Sequence, residues 1–395
     1  MVDLTDPAVW QDLHACLRPA REAGPVSVGA DGSVLVLRHV EVTALLKDRS
    51  FGAADLLAIY GIDEGPVWEW WRIVMASLDP PDHTRVRATV NRAFTPRQVD
   101  KLRPVIAAIA TELLADALAN GRRSVDVIGD FADRLPSRVM AHMLAIPRAD
   151  QDTFAAWTTD LGLVFGAAAG RDVALLRHVE GVLGQLYEYV GALSAKRRVH
   201  PGDDLLSALI AAEETDNRLN ADELAALVAN LLFAGHDTTR SQLMIAFQLL
   251  AAHPDQFTAL RNGVATVEQA GEEILRFEPA VLGAARRPFN DTVVCGIEVP
   301  AGRAVQVSIV SAGRDPRAYE DADRFEIARA DSRPIAFGAG LHHCLGAALA
   351  QAELQETLTL LATNVRSLKL AAEPRWVPYA AIRRFKSLQV EVEPA

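Results

Sequence analysis

The densest group of residues able to do chemistry surrounds Cys344, in Phe337-Gly338-Ala339-Gly340-Leu341-His342-His343-Cys344-Leu345-Gly346. Two glycines precede the thiol and one follows it. Glycine reaches φ > 0 at little steric cost and lets backbone amides come close to a ligand. A helix with the apolar stripe Ala347, Ala350, Leu354, Leu358 and Leu361 begins just beyond. Cys344 is therefore expected at a helix N-terminus, where the dipole and free N–H groups favour a thiolate. Such a thiolate can ligate a metal. Two plainer readings compete: a small buried hydrophobe, and a zinc site made with His342 and His343. The glycine frame and the histidine pair speak against the first. Adjacent ligands chelate tetrahedral zinc poorly, and no second Cys/His cluster stands at the usual spacing.

Three further groups have suggestive spacing. In Ala234-Gly235-His236-Asp237-Thr238-Thr239, Thr238 follows Ala234 by one helical turn. Its hydroxyl can take the Ala234 carbonyl and loosen the helical ladder, and Gly235 weakens it further. An acid beside a hydroxyl at such a notch can pass protons; a simple kink is the alternative. His83 and Arg87, i and i+4 after Pro80-Pro81, can grip one anion together or belong to a solvated basic face. Glu273 and Arg276, i and i+3, form at least a surface ion pair.

A largely helical frame must position these groups. Helical periodicity runs from Val105 to Ala119, Val173 to Arg198, Ala221 to about Ala252 with Asn220 as cap, Val267 to Phe277, and Leu345 to about Thr363. Strand signals are fewer: Ser33 to Leu37, Thr292 to Val299 and Ala304 to Ile309 around Pro300-Ala301-Gly302, and Ser387 to Val392. The pattern predicts a mainly α (α+β) protein. No linker or repeat divides the 395 residues, so one domain over 1–395 is expected.

With 50% hydrophobic and 23% charged residues, the chain can bury a core and is not disordered. Lys+Arg 40 against Asp+Glu 51 gives a net charge of −11, which argues against general nucleic-acid binding. Cys16, Cys295 and Cys344 are too few for a disulfide scaffold and suit a reducing cytoplasm. The most apolar stretch, Leu224 to Gly235, is shorter than the roughly 20 residues of a membrane span. Residues 1–10 carry acids and no basic residue, unlike a signal peptide.

Taken in order, these segments resemble the cytochrome P-450 superfamily of haem-thiolate monooxygenases. The Cys344 loop matches its bacterial pattern F-G-x-G-x-H-x-C-x-G at every fixed position. The resemblance implies that Cys344 is the axial ligand of haem iron, that Phe337 and Gly338 border the cofactor, and that His342 contacts a propionate. A cysteine thiolate pushes electron density to iron and favours O–O cleavage. The Ala234 stretch matches A-G-x-[DE]-T-[TS], which places Ala234 at the cofactor and assigns proton delivery to Asp237 and Thr238. Glu273 and Arg276 match E-x-x-R, a buried structural network in which Arg324 corresponds to the third member. His83 and Arg87 match D-P-P-x-H-x-x-x-R, and with Arg286, preferred over Arg287, they complete an implied propionate cluster. The implied fold is a large helical domain with small β-sheets, haem b lying between the long central helix and the cysteine-loop helix. Two positions depart from the common pattern: Gly313, where asparagine is frequent, and Arg384, where glycine is frequent. The second leaves the C-terminal hairpin geometry open.

The same resemblance assigns substrate-facing positions to Leu56, Leu57, Ile59, Tyr60 and Trp68, to Leu161, Leu163, Val164 and Phe165, to Leu231 and Ala234, to Val281, Leu282 and Ala284, and to Tyr379 and Ile382. Nearly all are apolar, which predicts an apolar small organic substrate, with hydroxylation as the expected reaction. The tryptophans from Trp68 to Trp71 read mainly as helix packing. Gly162, Gly166 and Gly170 suggest a mobile lid. No flavin or iron–sulfur domain fits in the remaining length. Electrons from NAD(P)H would then arrive through a ferredoxin or flavodoxin and its reductase, with dioxygen as cosubstrate. Arg85, Arg92, Arg97, Lys101 and Arg103 form a basic run suited to steering an acidic carrier. No nucleic-acid or membrane partner is expected. A peroxide-driven haem oxygenase and a non-catalytic haem sensor are the alternatives, and the Asp237–Thr238 pair speaks against both.

Overall fold

The computed structural model of the protein describes residues 7–29, 32–166, 169–216, 219–377 and 381–395. Tyr379 lies outside them.

Asn220 starts the longest helix, Ala221–Ala252, with a capping box: its side chain accepts from the Glu223 amide, and the Glu223 carboxylate accepts from the Asn220 amide. That satisfies two otherwise orphaned donors. The helix is apolar almost all round and buried along most of its length, as expected for an element at the centre of a large core. It packs against helices Arg134–Met143, Gln151–Leu161, Val173–Val199 and Ala347–Asn364. Thr266 and Gln269 form a second capping box on helix Val267–Phe277. Helix Pro96–Ala117 begins earlier than its apolar pattern predicts, because Pro96 occupies a first-turn position where the missing N–H costs nothing. Pro104 lies inside it.

Ten strands are described: β1 Val26–Val28, β2 Val34–Val36, β3 Phe51–Ala53, β4 Ser124–Asp126, β5 Gly283–Pro288, β6 Thr292–Val294, β7 Ile297–Val299, β8 Val305–Ser308, β9 Val365–Leu370 and β10 Gln389–Pro394. Five pair in the order β1-β2-β8-β5-β3, three in the order β4-β10-β9, and β6 with β7. The single strand expected over Thr292 to Val299 is thus a hairpin. Cys295 (φ 51) and Gly296 (φ 86) form its turn, a pair of positive φ values that two-residue hairpins favour. β5 carries Ala-Ala-Arg-Arg and no alternation, so its pairing with β3 and β8 was not readable locally. The resemblance is right in outline: helices dominate and the sheets are small.

The departures at Gly313 and Arg384 have structural answers. A Cβ at Gly313 would lie 2.3 Å from the Arg276 carbonyl oxygen, so a side chain does not fit. The C-terminal hairpin closes despite Arg384: the Val377 amide donates to the Arg384 carbonyl, and Trp376 pairs with and stacks on Phe385.

Gly162 and Gly170 owe their smallness to close approach. An added Cβ at Gly162 would lie 3.0 Å from Asp237 Oδ2, and one at Gly170 2.3 Å from the Gly61 carbonyl oxygen. Between them, Phe165 stacks on Phe233 at 4.7 Å and meets Trp71 edge-on at 5.0 Å. Residues 167–168 of the expected lid lie outside the described residues. No described helix is long and apolar enough to cross a membrane.

Candidate active site

The Cys344 loop is a backbone device. Gly338 and Gly340 have φ values of 68 and 72, a region costly for other residues. A Cβ at Gly340 would also strike the Leu46 carbonyl oxygen at 2.4 Å. The Cys344 amide donates to the Phe337 carbonyl at 2.9 Å, closing the loop. Arg87 pins it from outside, donating to the carbonyls of Leu341 (3.3 Å) and His343 (2.8 Å). The following helix starts at Ala347 with Gly346 as cap, so Cys344 precedes rather than occupies its first turn. Burial pushes the Cys344 thiol above its ordinary value, and the Gly346 amide and the Arg87 charge only oppose this. The helix terminus therefore does not create a free thiolate here. A metal ion bound to the sulfur would favour the thiolate.

Cys344 opens into a cavity of about 400 Å³, within the usual range for small-molecule sites. All eight expected cofactor-binding residues line it: His83, Arg87, Ala234, Arg286, Phe337, Gly338, His342 and Cys344. His83 is 1% exposed, yet neither ring nitrogen has a hydrogen-bond partner, and Nε2 of His342 is likewise unpartnered. Their rings lie 4.5 Å apart. Orphaned buried donors are costly unless a ligand satisfies them. Desolvation, then the charges of Arg286, His83 and Arg87, pushes His342 down to about 3. Desolvation and Arg87 also lower His83. Two arginines, Arg87 and Arg286, and two unpartnered imidazoles converge here. Among the described residues only the Asp79 carboxylate, itself paired with Arg287, opposes them, as at a site for an anionic group. Arg286 faces the cavity, whereas Arg287 pairs with Asp79 at 2.6 Å. Dicarboxylate haem fits this donor set. Among the described residues, no three His, Cys, Asp or Glu side chains are placed to hold a bare metal ion, which leaves the zinc reading without support.

Thr238 lines the cavity and donates its hydroxyl to the Ala234 carbonyl at 2.6 Å. The helix nonetheless runs unbroken through this stretch. Asp237 does not reach the lining. It is 2% exposed and ion-paired through Oδ1 with Arg240 at 2.7 Å and Arg384 at 3.5 Å. Arg240 also pairs with Asp133 at 3.1 Å. His236 bridges the Thr158 hydroxyl and the Asp133 carbonyl.

The Glu273–Arg276 pair is not a surface bridge: both side chains are 0% exposed and meet at 2.7 Å. Arg276 also donates to the carbonyls of Gly313, Ala322 and Arg324. The third cation is Arg329, whose Nε lies 3.1 Å from Glu273 Oε2. Arg324 contributes only its carbonyl. Its own side chain is 66% exposed and pairs with Glu326. Local sequence does not separate these two arginines, because only the loop's path decides which one returns to Glu273.

Of the expected substrate-facing residues, Leu56, Leu231, Ala234, Val281 and Ala284 line the cavity, while Leu57, Ile59, Tyr60, Trp68, Leu161, Leu163, Val164, Phe165, Leu282 and Ile382 do not. Neighbouring side chains on a helix or extended segment point different ways. Leu56 faces the cavity and Leu57 the core, and Val281 faces in while Leu282 packs with Leu13 and Leu17. Trp71 replaces Trp68, whose indole N–H donates to Asp55 at 2.8 Å. Ile382 bridges Val281 from behind. Tyr60 and Leu163 belong to neighbouring turns outside the lining. Met75, Met140, Asn230 and Gln242 complete the wall. Their long-range placement has no signal in the sequence.

Comparison with known proteins decides the family. The signature of the cytochrome P-450 family matches residues 182–368. Luteothin monooxygenase of Streptomyces thioluteus is 37% identical over 95% of this chain and 91% of its own. The chain belongs to the cytochrome P-450 family. Nocardicin C N-oxygenase of Nocardia uniformis is also 37% identical, over 95% of this chain and 93% of its own. The crystal structure of CalO2 superposes with a TM-score of 0.92 at 31% identity, covering 99% of this chain and 98% of that one. The protein is thus a P-450 monooxygenase, and its family uses haem iron and dioxygen.

Proposed function

We propose that this P-450 inserts one atom of dioxygen into an apolar small molecule, receiving electrons from NAD(P)H through a separate ferredoxin or flavodoxin and its reductase. The observation that carries this reading is the single cavity holding Cys344, the unpartnered His83 and His342, and an otherwise largely apolar wall. Cys344 would hold the haem iron, with His83, Arg87, Arg286 and His342 around the propionates. Thiolate-ligated haem supplies the electron-rich iron at which dioxygen is split.

The chain's own part is positioning and proton supply. Thr238 holds its hydroxyl proton at the cavity wall, parked on the Ala234 carbonyl. Asp237 stands behind it with its carboxylate drawn away by Arg240 and Arg384. Those cations set its resting orientation, and it must turn from them to serve Thr238. The apolar lining excludes bulk water, so protons enter by this pair rather than at random. Replacing Thr238 by Ala should lower product formed per reductant consumed by about tenfold or more, while reductant oxidation continues. Product yield and peroxide release measured side by side test this, and unchanged coupling removes Thr238 from the role.

Helix Pro96–Ala117 packs along the cysteine-loop helix and carries exposed Arg97 and Lys101, with Arg92 just before it. Arg85 and Arg103 are committed elsewhere, to Glu223 and Glu356 respectively. The docking face is therefore smaller than the basic run. The variant Arg97→Glu/Lys101→Glu should raise the apparent KM for an acidic ferredoxin by about tenfold at low salt, the gap closing at high salt. Equal reduction kinetics would place docking elsewhere.

A further inference from the structure

One cavity residue is used by none of the roles above. Asn230 sits on the long helix one turn before Ala234, in the same cavity-facing stripe as Leu231, Ala234, Thr238 and Gln242. It is 5% exposed. The other long polar side chain of that stripe is satisfied within the protein: Gln242 donates to the Glu278 carbonyl and accepts from the Ala280 amide. The Thr238 hydroxyl is spent on Ala234. The Asn230 side-chain amide makes no hydrogen bond with any described residue, and it faces the open cavity. In a largely apolar cavity, an amide without a protein partner is satisfied only by what the cavity holds. Nothing in folding explains an amide here, since the helix is apolar around it and the cap lies ten residues earlier, at Asn220.

We infer that Asn230 is a specificity-determining residue that hydrogen-bonds an uncharged oxygen, a carbonyl or a hydroxyl, on an otherwise apolar substrate. This rests on the monooxygenase reading and narrows it. The substrate is not a plain hydrocarbon. It is not recognised as a carboxylate at this end either, because the cavity's cationic side chains, Arg87 and Arg286, belong with His83 and His342 to the propionate cluster. Anchoring one oxygen on the helix that also presents Thr238 would fix which carbon meets the reactive centre. Positioning of this kind converts loose apolar binding into a defined site of attack.

The test compares wild type with Asn230→Leu, a substitution of similar size. Adamantanone and adamantane serve as probes of one shape with and without the oxygen, and binding is read from the Soret shift of the haem-loaded protein. Wild type should prefer the ketone by about threefold to tenfold, the worth of one neutral hydrogen bond. Asn230→Leu should lose that preference without weaker adamantane binding. No preference in wild type, including no shift with either compound, overturns the inference, as does an unchanged preference in the variant. Thermal unfolding of the haem-free proteins gives a second reading that does not depend on haem. Asn230→Leu should melt at or above wild type, since an unpaired amide is removed. A fall of several degrees would show a structural role and overturn the proposal. A protein that takes up no haem fails the monooxygenase reading instead, and the melting comparison still decides the fate of Asn230.

Discussion

Replacing Arg276 with Met lowers stability by about 3–5 kcal/mol, the usual cost of stranding a buried charge. Glu273 is wholly buried, so its carboxylate would keep only the Arg329 side chain, the Glu326 amide and a long contact from Ser332. Three carbonyls, of Gly313, Ala322 and Arg324, would lose their shared donor at once. These carbonyls tie helix Val267–Phe277 to the chain leading into the Cys344 loop, so haem retention should fall with stability. The readouts are the urea midpoint and the haem content after purification. Arg324→Ala is the contrasting variant. Its exposed side chain makes one surface ion pair, worth about 0–1 kcal/mol. Equal losses in the two variants would refute the placement of Arg329, rather than Arg324, as the third member.

The second large effect is expected at Cys344. Cys344→Ser keeps the loop's backbone, since the amide bond to Phe337 and the glycine turns do not depend on sulfur. It removes the one thiol among the described residues lining the cavity. Oxygen insertion should drop at least about a hundredfold, because a serine oxygen does not donate electron density as a thiolate does. Stability should change little, and the far-ultraviolet spectrum should match wild type. The other cysteines serve as controls: Cys295 sits in the β6–β7 turn and Cys16 on helix Leu13–Ala23, both away from the cavity lining. Substituting either should leave oxygen insertion intact. Activity surviving in Cys344→Ser would detach the reaction from this loop.

Most of the architecture was legible because long helices announce themselves. Asn220 with Glu223, and Thr266 with Gln269, mark two helix starts to the residue. The glycines of the Cys344 loop were legible for the same reason, since each serves a local backbone need. What failed was everything set by long-range return of the chain. Arg329 rather than Arg324 reaches Glu273 because of how an irregular loop folds back. β5 pairs on one edge with β3, from the far N-terminal part of the chain, and on the other with β8 across the β6–β7 hairpin. The cavity wall was legible by segment and not by side chain: of the neighbours Leu56 and Leu57 only the first faces in, and Trp71 lines the wall where Trp68 was expected, because knowing that a segment faces a ligand does not tell which side chain turns inward. Asn230 was hidden by its setting, a polar residue inside the most apolar stretch of the chain.

The central claim, haem held by the Cys344 thiolate in this cavity, is tested most directly by the absorption spectrum of the reduced protein with and without carbon monoxide, run beside Cys344→Ser. A strongly red-shifted Soret band in wild type, absent from the variant, is the predicted result. A band like that of histidine-ligated haem in both proteins, or no haem uptake by wild type supplied with haem, would contradict the account.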